Sequence, residues 1–244
     1  MIKGMGAYTD TKSKDIKIFI IGDSTVYNKD FPDGNGGFHE MGWAQKEALG
    51  NYMIQPSNLF NKGRSGASSK SYKTINNNLN DWEETKNLIK NTDISSGAYL
   101  LIQFGHNDEK VNQPYGTTPD KFYEELDTYI NWAKNNGMKP VLITPVERRA
   151  KYYGHNNRKT HITNEGDYAQ TVRDLAEDKG VLLLDLQDRS WNEYNTYENT
   201  DTINKIFAYD DNTHFSPKGA KIVAGWVKDL ACESSDETLC GQFK

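Results

Sequence analysis

Ile16-Lys17-Ile18-Phe19-Ile20-Ile21-Gly22-Asp23-Ser24-Thr25 decides how the chain is read. A run of β-branched and aromatic residues stops abruptly at Gly-Asp-Ser. A parallel strand buried on both faces reads as such a run, and it ends by delivering side chains to the rim of its sheet. In open α/β sheets ligands bind just beyond the carboxyl ends of the strands. Gly22 allows a tight backbone path there, and Ser24 is the first residue beyond it with a nucleophilic hydroxyl. The competing reading makes Asp23 and Ser24 cap residues of a following helix, so the rest of the chain must decide.

The same punctuation recurs. Residues 58–61 read as a short strand running into the small-residue loop Gly63-Arg64-Ser65-Gly66-Ala67-Ser68-Ser69. Residues 98–104 form a strong strand that breaks at Gly105-His106-Asn107-Asp108. Strands follow at 140–144, ended by Pro145, and at 181–185. Helical spacing is read at 40–49, 81–90, 119–135, 167–179 and 217–231, the last with Ser216 as cap and Pro217 at its first position. Apolar strands alternating with helices predict an α/β fold, a parallel sheet covered on both faces. Residues 1–15 read as a polar extension and 16–244 as one domain. The stretches 147–166 and 190–213 are long polar insertions, and loops of that length in a compact domain are usually functional.

Composition narrows the function. The 244 residues suffice for a sizeable core, and 14 Tyr, 9 Phe and 5 Trp supply aromatic mass. Mean hydropathy is −0.82, yet apolar runs recur regularly, which argues against disorder. No run approaches a membrane span. The net charge is −5 and no basic module stands out, so nucleic acid is disfavoured as a partner. The first fifteen residues lack the apolar core of a signal peptide; a removed leader and an intracellular protein both fit. The two cysteines, Cys232 and Cys240, suit a small terminal disulfide in an oxidising compartment, with free thiols as the alternative. No His lies at zinc-ligand spacing from them.

Three chemically suitable loops, at Ser24, Gly66 and Asn107, thus fall at the carboxyl ends of successive strands. A fourth piece is Asp211-Asn212-Thr213-His214, just before the Ser216 cap. Three residues apart on a turn, a carboxylate can reach the near nitrogen of the imidazole, fix its tautomer and stabilise its cation. The far nitrogen is left to take a proton from Ser24. An Asx-turn beside a surface His is the bland alternative.

Gly22-Asp23-Ser24-Thr25, Gly66, Gly105-His106-Asn107-Asp108 and Asp211-Asn212-Thr213-His214 resemble, in order, the four signature blocks of the SGNH (GDSL-like) hydrolases. The Gly-Asp-Ser-Thr form, residues 66–72, residues 144–149 and residues 214–220 resemble the rhamnogalacturonan acetylesterase branch, carbohydrate esterase family 12. The likeness spans about residues 18–227. It implies a flavodoxin-like three-layer α/β/α fold with a five-stranded parallel sheet. It further implies Ser24 as nucleophile, His214 as general base, Asp211 as its orienting acid, and an oxyanion hole from the Ser24 and Gly66 N–H groups and the Asn107 amide. No cofactor or metal is implied. Gly63 is the alternative donor and Asp210 the alternative acid. Two positions depart from the branch: Ala67 stands where an Arg often follows the glycine, and Lys70 replaces a second common Arg.

The substrate is read from what surrounds these residues. Arg148, Arg149, Lys151, Arg158 and Lys159 make a basic patch in an acidic chain. It follows the fourth strand, so it rises from the same edge and would hold an acidic polymer such as pectic galacturonate. Trp191, Tyr194, Tyr197, Phe207 and Tyr209 offer rings for sugar stacking or a local core. His106 either orients the loop beside Asn107 or satisfies a buried contact, and joins Arg148 and Arg149 as a substrate-contact candidate. His39, His155 and His161 read as ordinary polar residues. The expectation is a secreted serine esterase acting on an acetylated polysaccharide or oligosaccharide, rhamnogalacturonan or pectin first. Acetylxylan or a broader carbohydrate range is the alternative, and a non-catalytic carbohydrate-binding relative is the rival class.

Overall fold

The computed structural model describes residues 15–29, 40–74, 80–149, 159–197, 201–209 and 211–244. Its centre is a five-stranded sheet formed by β1 (Lys17–Gly22), β2 (Leu59–Asn61), β3 (Ala98–Gln103), β4 (Lys139–Ile143) and β7 (Leu182–Leu184). The strand order is β2-β1-β3-β4-β7, with every neighbouring pair parallel. A short antiparallel hairpin, β5 (Ile162–Thr163) and β6 (Gly166–Asp167), stands apart from it.

The continuous apolar run of β1 follows from its two-sided burial. Ile18 and Ile20 enter one core with Leu101, Val141, Ile143 and Leu184. Phe19 and Ile21 enter the other with Leu100, Ile102 and Leu142. The second core is closed by α1 (Asp81–Lys90), α2 (Pro119–Asn135) and α3 (Tyr168–Lys179), through side chains such as Trp82, Phe122, Tyr129 and Val172. The first is closed by α4 (Leu186–Tyr197), α5 (Asp201–Ile206), α6 (Pro217–Glu233) and α7 (Glu237–Cys240), through Tyr194, Ile203, Val223, Val227 and Leu239. This is the three-layer α/β/α sandwich. Each fully buried Ile or Phe contributes about 1.5–3 kcal/mol, so a one-residue slip of β1, which would exchange the side chains of the two cores, is costly.

Helix ends follow their capping chemistry. Thr118, Asp167 and Ser216 accept from the N–H groups of Lys121, Gln170 and Gly219 at the starts of α2, α3 and α6. Cys232 and Cys240 are joined, which ties α7 back to the end of α6.

Two sequence expectations are corrected. Residues 41–48 form turns rather than a helix, followed by a single 3-10 turn at Leu49–Tyr52. Their backbone groups are taken elsewhere: Met41 N–H by Phe215 O (3.0 Å), Trp43 N–H by Thr25 O (2.9 Å) and Gly42 N–H by Gln45 Oε1 (2.8 Å). The segment is held against the loop after β1, and its Met41, Trp43, Ala44, Ala48 and Leu49 are all buried instead of lying on one face. The insertion at 190–213 is not a polar loop where it is described. It carries the end of α4 and the whole of α5, and Tyr194, Phe207 and Ile206 are core.

Candidate active site

Ser24 sits on the turn after β1, and the turn is built by Asp23. That carboxylate is fully buried; its Oδ1 accepts from Thr25 N–H (2.9 Å) and Thr25 Oγ (2.8 Å). Gly22 is required beneath it, because a Cβ there would lie 2.4 Å from Gln103 O on β3. The strand end, the turn and β3 are further locked by Gln103, which donates to Thr25 Oγ1 (2.7 Å) and accepts from Trp43 Nε1 (2.9 Å).

The structure brings Ser24 and His214 together across 190 residues: Ser24 Oγ lies 2.9 Å from His214 Nε2. His214 Nδ1 lies 2.8 Å from Asp211 Oδ2. The other Asp211 oxygen accepts from Thr213 N–H (2.6 Å) and His214 N–H (2.7 Å), so the loop wraps its own carboxylate. Burial opposes ionisation of Asp211, but these hydrogen bonds outweigh it and hold the carboxyl well below the usual range. With Asp211 ionised and accepting at Nδ1, Nε2 is the unprotonated nitrogen, placed to take the Ser24 proton. Phe215, fully buried, anchors the loop through backbone pairing with Met41 and Phe207. Asp210 lies outside the described residues, as do His39, His155, Lys151 and Arg158.

Gly66 and Asn107 line the same cavity as Ser24 and His214, a space of about 1120 Å³. Gly66 has φ +73°, the left-handed region that favours glycine, with nothing within 4 Å of where a Cβ would stand. Among the described residues, neither the Ser24 nor the Gly66 N–H meets an internal acceptor. Asn107 is oriented at both ends: Nδ2 donates to Ala67 O (2.9 Å) and Oδ1 accepts from Lys110 Nζ (2.9 Å). An amide nitrogen carries two hydrogens, so one remains for the cavity. The adjacent Asp108, fully buried, binds Ser69 N–H (3.0 Å) and Ser69 Oγ (2.5 Å), fastening the β3 loop to the β2 loop. Burial pushes its carboxyl up to about 7.

The substrate-contact candidates separate. His106 and Arg148 line the cavity. Arg149 does not: its guanidinium donates to Asn204 (2.7 Å) and its N–H to Asn212 O (2.9 Å), so it braces the His214 loop from outside. Arg148 is committed internally, to Glu109, to His106 O (3.0 Å) and to Thr213 Oγ1 (3.2 Å). His161 is no ordinary polar residue. It is fully buried, with Nδ1 2.8 Å from Glu109 and Nε2 2.9 Å from Val146 O. Burial favours its neutral form, but the Glu109 charge and hydrogen bond prevail and raise its pKa. Glu109, Lys110 and Tyr115 also line the cavity; their signal was only their nearness to Asn107 on a strand-end loop. Tyr209 is 98% exposed, whereas Tyr194 and Phe207 pack against each other in the core.

Glu40, Asp211 and His214 offer ligand atoms within 4.8 Å of one another. Those of Asp211 and His214 already serve each other and Ser24, and Glu40 pairs with buried Lys29. Chemically, the arrangement holds a hydroxyl against a base, beside free N–H donors, in a polar cavity.

The family match makes this three-layer sandwich a carboxylic ester hydrolase. The chain belongs to the GDSL-like lipase/acylhydrolase family, whose profile matches residues 18–227. It is 31% identical over 252 residues to rhamnogalacturonan acetylesterase RhgT of Bacillus subtilis (strain 168), covering 95% of this chain and 97% of that one. It is 30% identical over 232 residues to the probable rhamnogalacturonan acetylesterase YesY of the same organism, covering 91% and 97%. Among solved structures, Bacillus subtilis protein YXIM superposes with a TM-score of 0.67 at 21% identity, over 90% of this chain; the match spans only 56% of that protein. Axe2, an acetylxylan esterase from Geobacillus stearothermophilus, superposes with a TM-score of 0.55 at 18% identity, over 88% of this chain and 93% of that one. At such identities these two establish the shared fold alone. No helix among the described residues is long and apolar enough to cross a membrane.

Proposed function

We propose that the chain is a serine carbohydrate acetylesterase that removes O-acetyl groups from an acidic cell-wall polysaccharide, rhamnogalacturonan foremost. The observation that carries this is the unbroken hydrogen-bonded chain from Ser24 through His214 to Asp211, opening on a cavity lined by Gly66 and Asn107. Ser24 Oγ attacks the acetyl carbonyl while its proton passes to His214 Nε2. The carbonyl oxygen becomes an oxyanion received by the Ser24 and Gly66 N–H groups and the Asn107 amide. Each such donor is worth roughly 2.7–4 kcal/mol in the transition state. Collapse of the tetrahedral intermediate expels the sugar oxygen, which takes the proton from His214. Water, deprotonated by the same nitrogen, then attacks the acetyl-enzyme and releases acetate.

The polymer assignment is supported by the two acetylesterase relatives, 31% and 30% identical over nearly the whole chain. Secretion is supported by the Cys232–Cys240 bridge, which suits an oxidising compartment. The test is acetate release from acetylated rhamnogalacturonan, homogalacturonan and xylan, with an aryl acetate as reference. Rhamnogalacturonan is expected to be preferred, and Ser24→Ala to abolish release from all four while the fold persists. Turnover by Ser24→Ala refutes the chemistry; a preference for xylan refutes the substrate.

A further inference from the structure

Arg148 borders the cavity, yet it is only 8% exposed and its guanidinium is engaged with the protein. Nε–H donates to Thr213 Oγ1 (3.2 Å), Nη2 to His106 O (3.0 Å) and Nη1 to a Glu109 oxygen. Glu109 answers the charge, and its other oxygen lies 2.8 Å from His161 Nδ1. The places of these partners in the chain are what matter. The His106 carbonyl belongs to the peptide that carries the N–H of Asn107. Thr213 directly precedes His214. One guanidinium thus fastens the loop that bears the oxyanion donor and the loop that bears the base.

Those two loops have different supports. The β3 loop leaves the central sheet and is tied to the β2 loop, by Asn107 Nδ2 on Ala67 O (2.9 Å) and by Asp108 on Ser69 N–H (3.0 Å). The His214 loop runs between α5 and α6 and leaves no strand of that sheet. Its backbone is held by Arg149 N–H on Asn212 O (2.9 Å) and by Phe215 O on Met41 N–H (3.0 Å). The Arg148 side chain spans from the one loop to the other. Its own backbone is fixed, with its N–H on Thr160 Oγ1 (3.2 Å) and Thr160 in turn held by the Glu147 carboxylate. A planar guanidinium presents its donors in a rigid fork, whereas an ammonium on a flexible stem does not. The spacing it holds has chemical weight. A donor stabilises the oxyanion only if it is aimed at the place where that charge develops, and a misplacement of about 1 Å can cost about 10²-fold in rate.

We infer that Arg148 is a positioning residue whose guanidinium sets the spacing between His214 and Asn107, so that proton acceptor and oxyanion donor act on one ester carbonyl. This rests on the acetylesterase reading and deepens it. Arg148 then serves neutral and acidic acetyl esters alike, instead of binding the charge of a uronate.

The test is a double-mutant cycle on a neutral aryl acetate, pairing Arg148→Lys with Asn107→Ala. Lysine keeps the charge and loses the fork. Arg148→Lys alone should lower kcat by about 10–10²-fold with KM little changed, and by a similar factor on an acetylated methyl galacturonate. Asn107→Ala, worth about 10²–10³-fold in the wild-type background, should cost at least about tenfold less in the Arg148→Lys background, because the amide is already out of register. A general loss of folded protein divides both rates equally and leaves that ratio unmoved. Losses that multiply overturn the inference, as does an unchanged kcat in Arg148→Lys or a wild-type cost of Asn107→Ala below about tenfold. A defect confined to KM on the galacturonate ester makes Arg148 a substrate contact and overturns it too. If Arg148→Lys does not fold, Thr213→Val takes its place in the cycle, since it removes the acceptor on the His214 side alone. It should reduce the cost of Asn107→Ala by about threefold or more, and independent losses again overturn the inference. Wild-type turnover is read separately. Without it the esterase reading falls; with it present and the losses independent, only the role of Arg148 falls.

Discussion

Replacing Asp211 by Asn isolates the part of the site that depends on charge and tautomer rather than shape. The amide oxygen can keep the bonds from Thr213 N–H and His214 N–H, so the loop should hold its conformation. The amide nitrogen then faces His214 Nδ1, where a carboxylate oxygen sat at 2.8 Å. A donor there forces the imidazole proton onto Nε2, and the atom 2.9 Å from Ser24 Oγ becomes a donor instead of a base. Two routes give the size of the effect. The carboxylate charge acting on an imidazolium 2.8 Å away is worth about 6 kcal/mol at an effective dielectric constant of about 20, and solvent at a half-buried carboxylate lowers this. The same substitution in a Ser-His-Asp arrangement is worth about 10⁴ in kcat, or about 5.4 kcal/mol. Asp211→Asn should therefore lose about 10³–10⁴ in kcat on an aryl acetate, with KM little changed and the thermal midpoint within a few degrees of wild type. Retention of more than about a tenth of the activity, in a folded variant, would refute the assignment of Asp211 as the acid that orients His214.

The remaining predictions test the donors and the buried pair. Asn107→Ala should lower kcat by about 10²–10³ with a small change in KM, and a loss below about tenfold on an aryl acetate would remove Asn107 from the oxyanion hole. Stability should carry a signature of His106. Its pKa is pushed down to about 4 by burial, below about 6.5 in the unfolded chain, so the folded state binds fewer protons between those values. This contribution is fully present above about pH 6.5 and is lost as pH falls toward about 4, on the order of 3 kcal/mol. The gap in urea-unfolding free energy between wild type and His106→Phe should shrink by about that amount from about pH 7 to about pH 4; a constant gap contradicts the buried neutral imidazole.

What the sequence revealed, it revealed where local rules are sufficient. Thr118-Pro119 and Ser216-Pro217 announce α2 and α6 because a cap oxygen and a fixed φ act within one turn. β1 and β3 are legible because two-sided burial demands uninterrupted apolar residues. Ser24 and Asn107 stand just after such runs stop, whereas Gly66 follows the short, half-buried β2 and is singled out by the family resemblance. Residues 41–48 misled because their apolar spacing suits a helix while Gln45 and the turn after β1 compete for the same N–H groups. Leu186, Ser190, Tyr194 and Tyr197 of α4 do lie at helical spacing, but the surrounding Asp, Asn and Glu residues disguised it. The pairing of His161 with Glu109, 52 residues away, has no local signature at all. Only the folded chain brings the 147–166 insertion against the loop after β3.

The rim of the sheet gathers four carboxylates, Asp23, Asp108, Glu109 and Asp211, around a place where the proposed reaction makes another negative charge. That is tolerable only if their charges are answered, and each is answered differently. Glu109 lies between Arg148 and His161, whose charges and hydrogen bonds outweigh burial and bring its pKa to about 2. Asp108 has no cation among the described residues; burial pushes it up to about 7, so near neutrality a large part of it is uncharged. Asp211 faces an imidazole that becomes a cation at the moment the oxyanion forms. Asp23 alone remains ionised beside a neutral ring, its charge met by Thr25 and His106 donors. Its placement joins two loops, because the carboxylate that bends the chain at Ser24 with one oxygen holds the His106 ring of the β3 loop with the other.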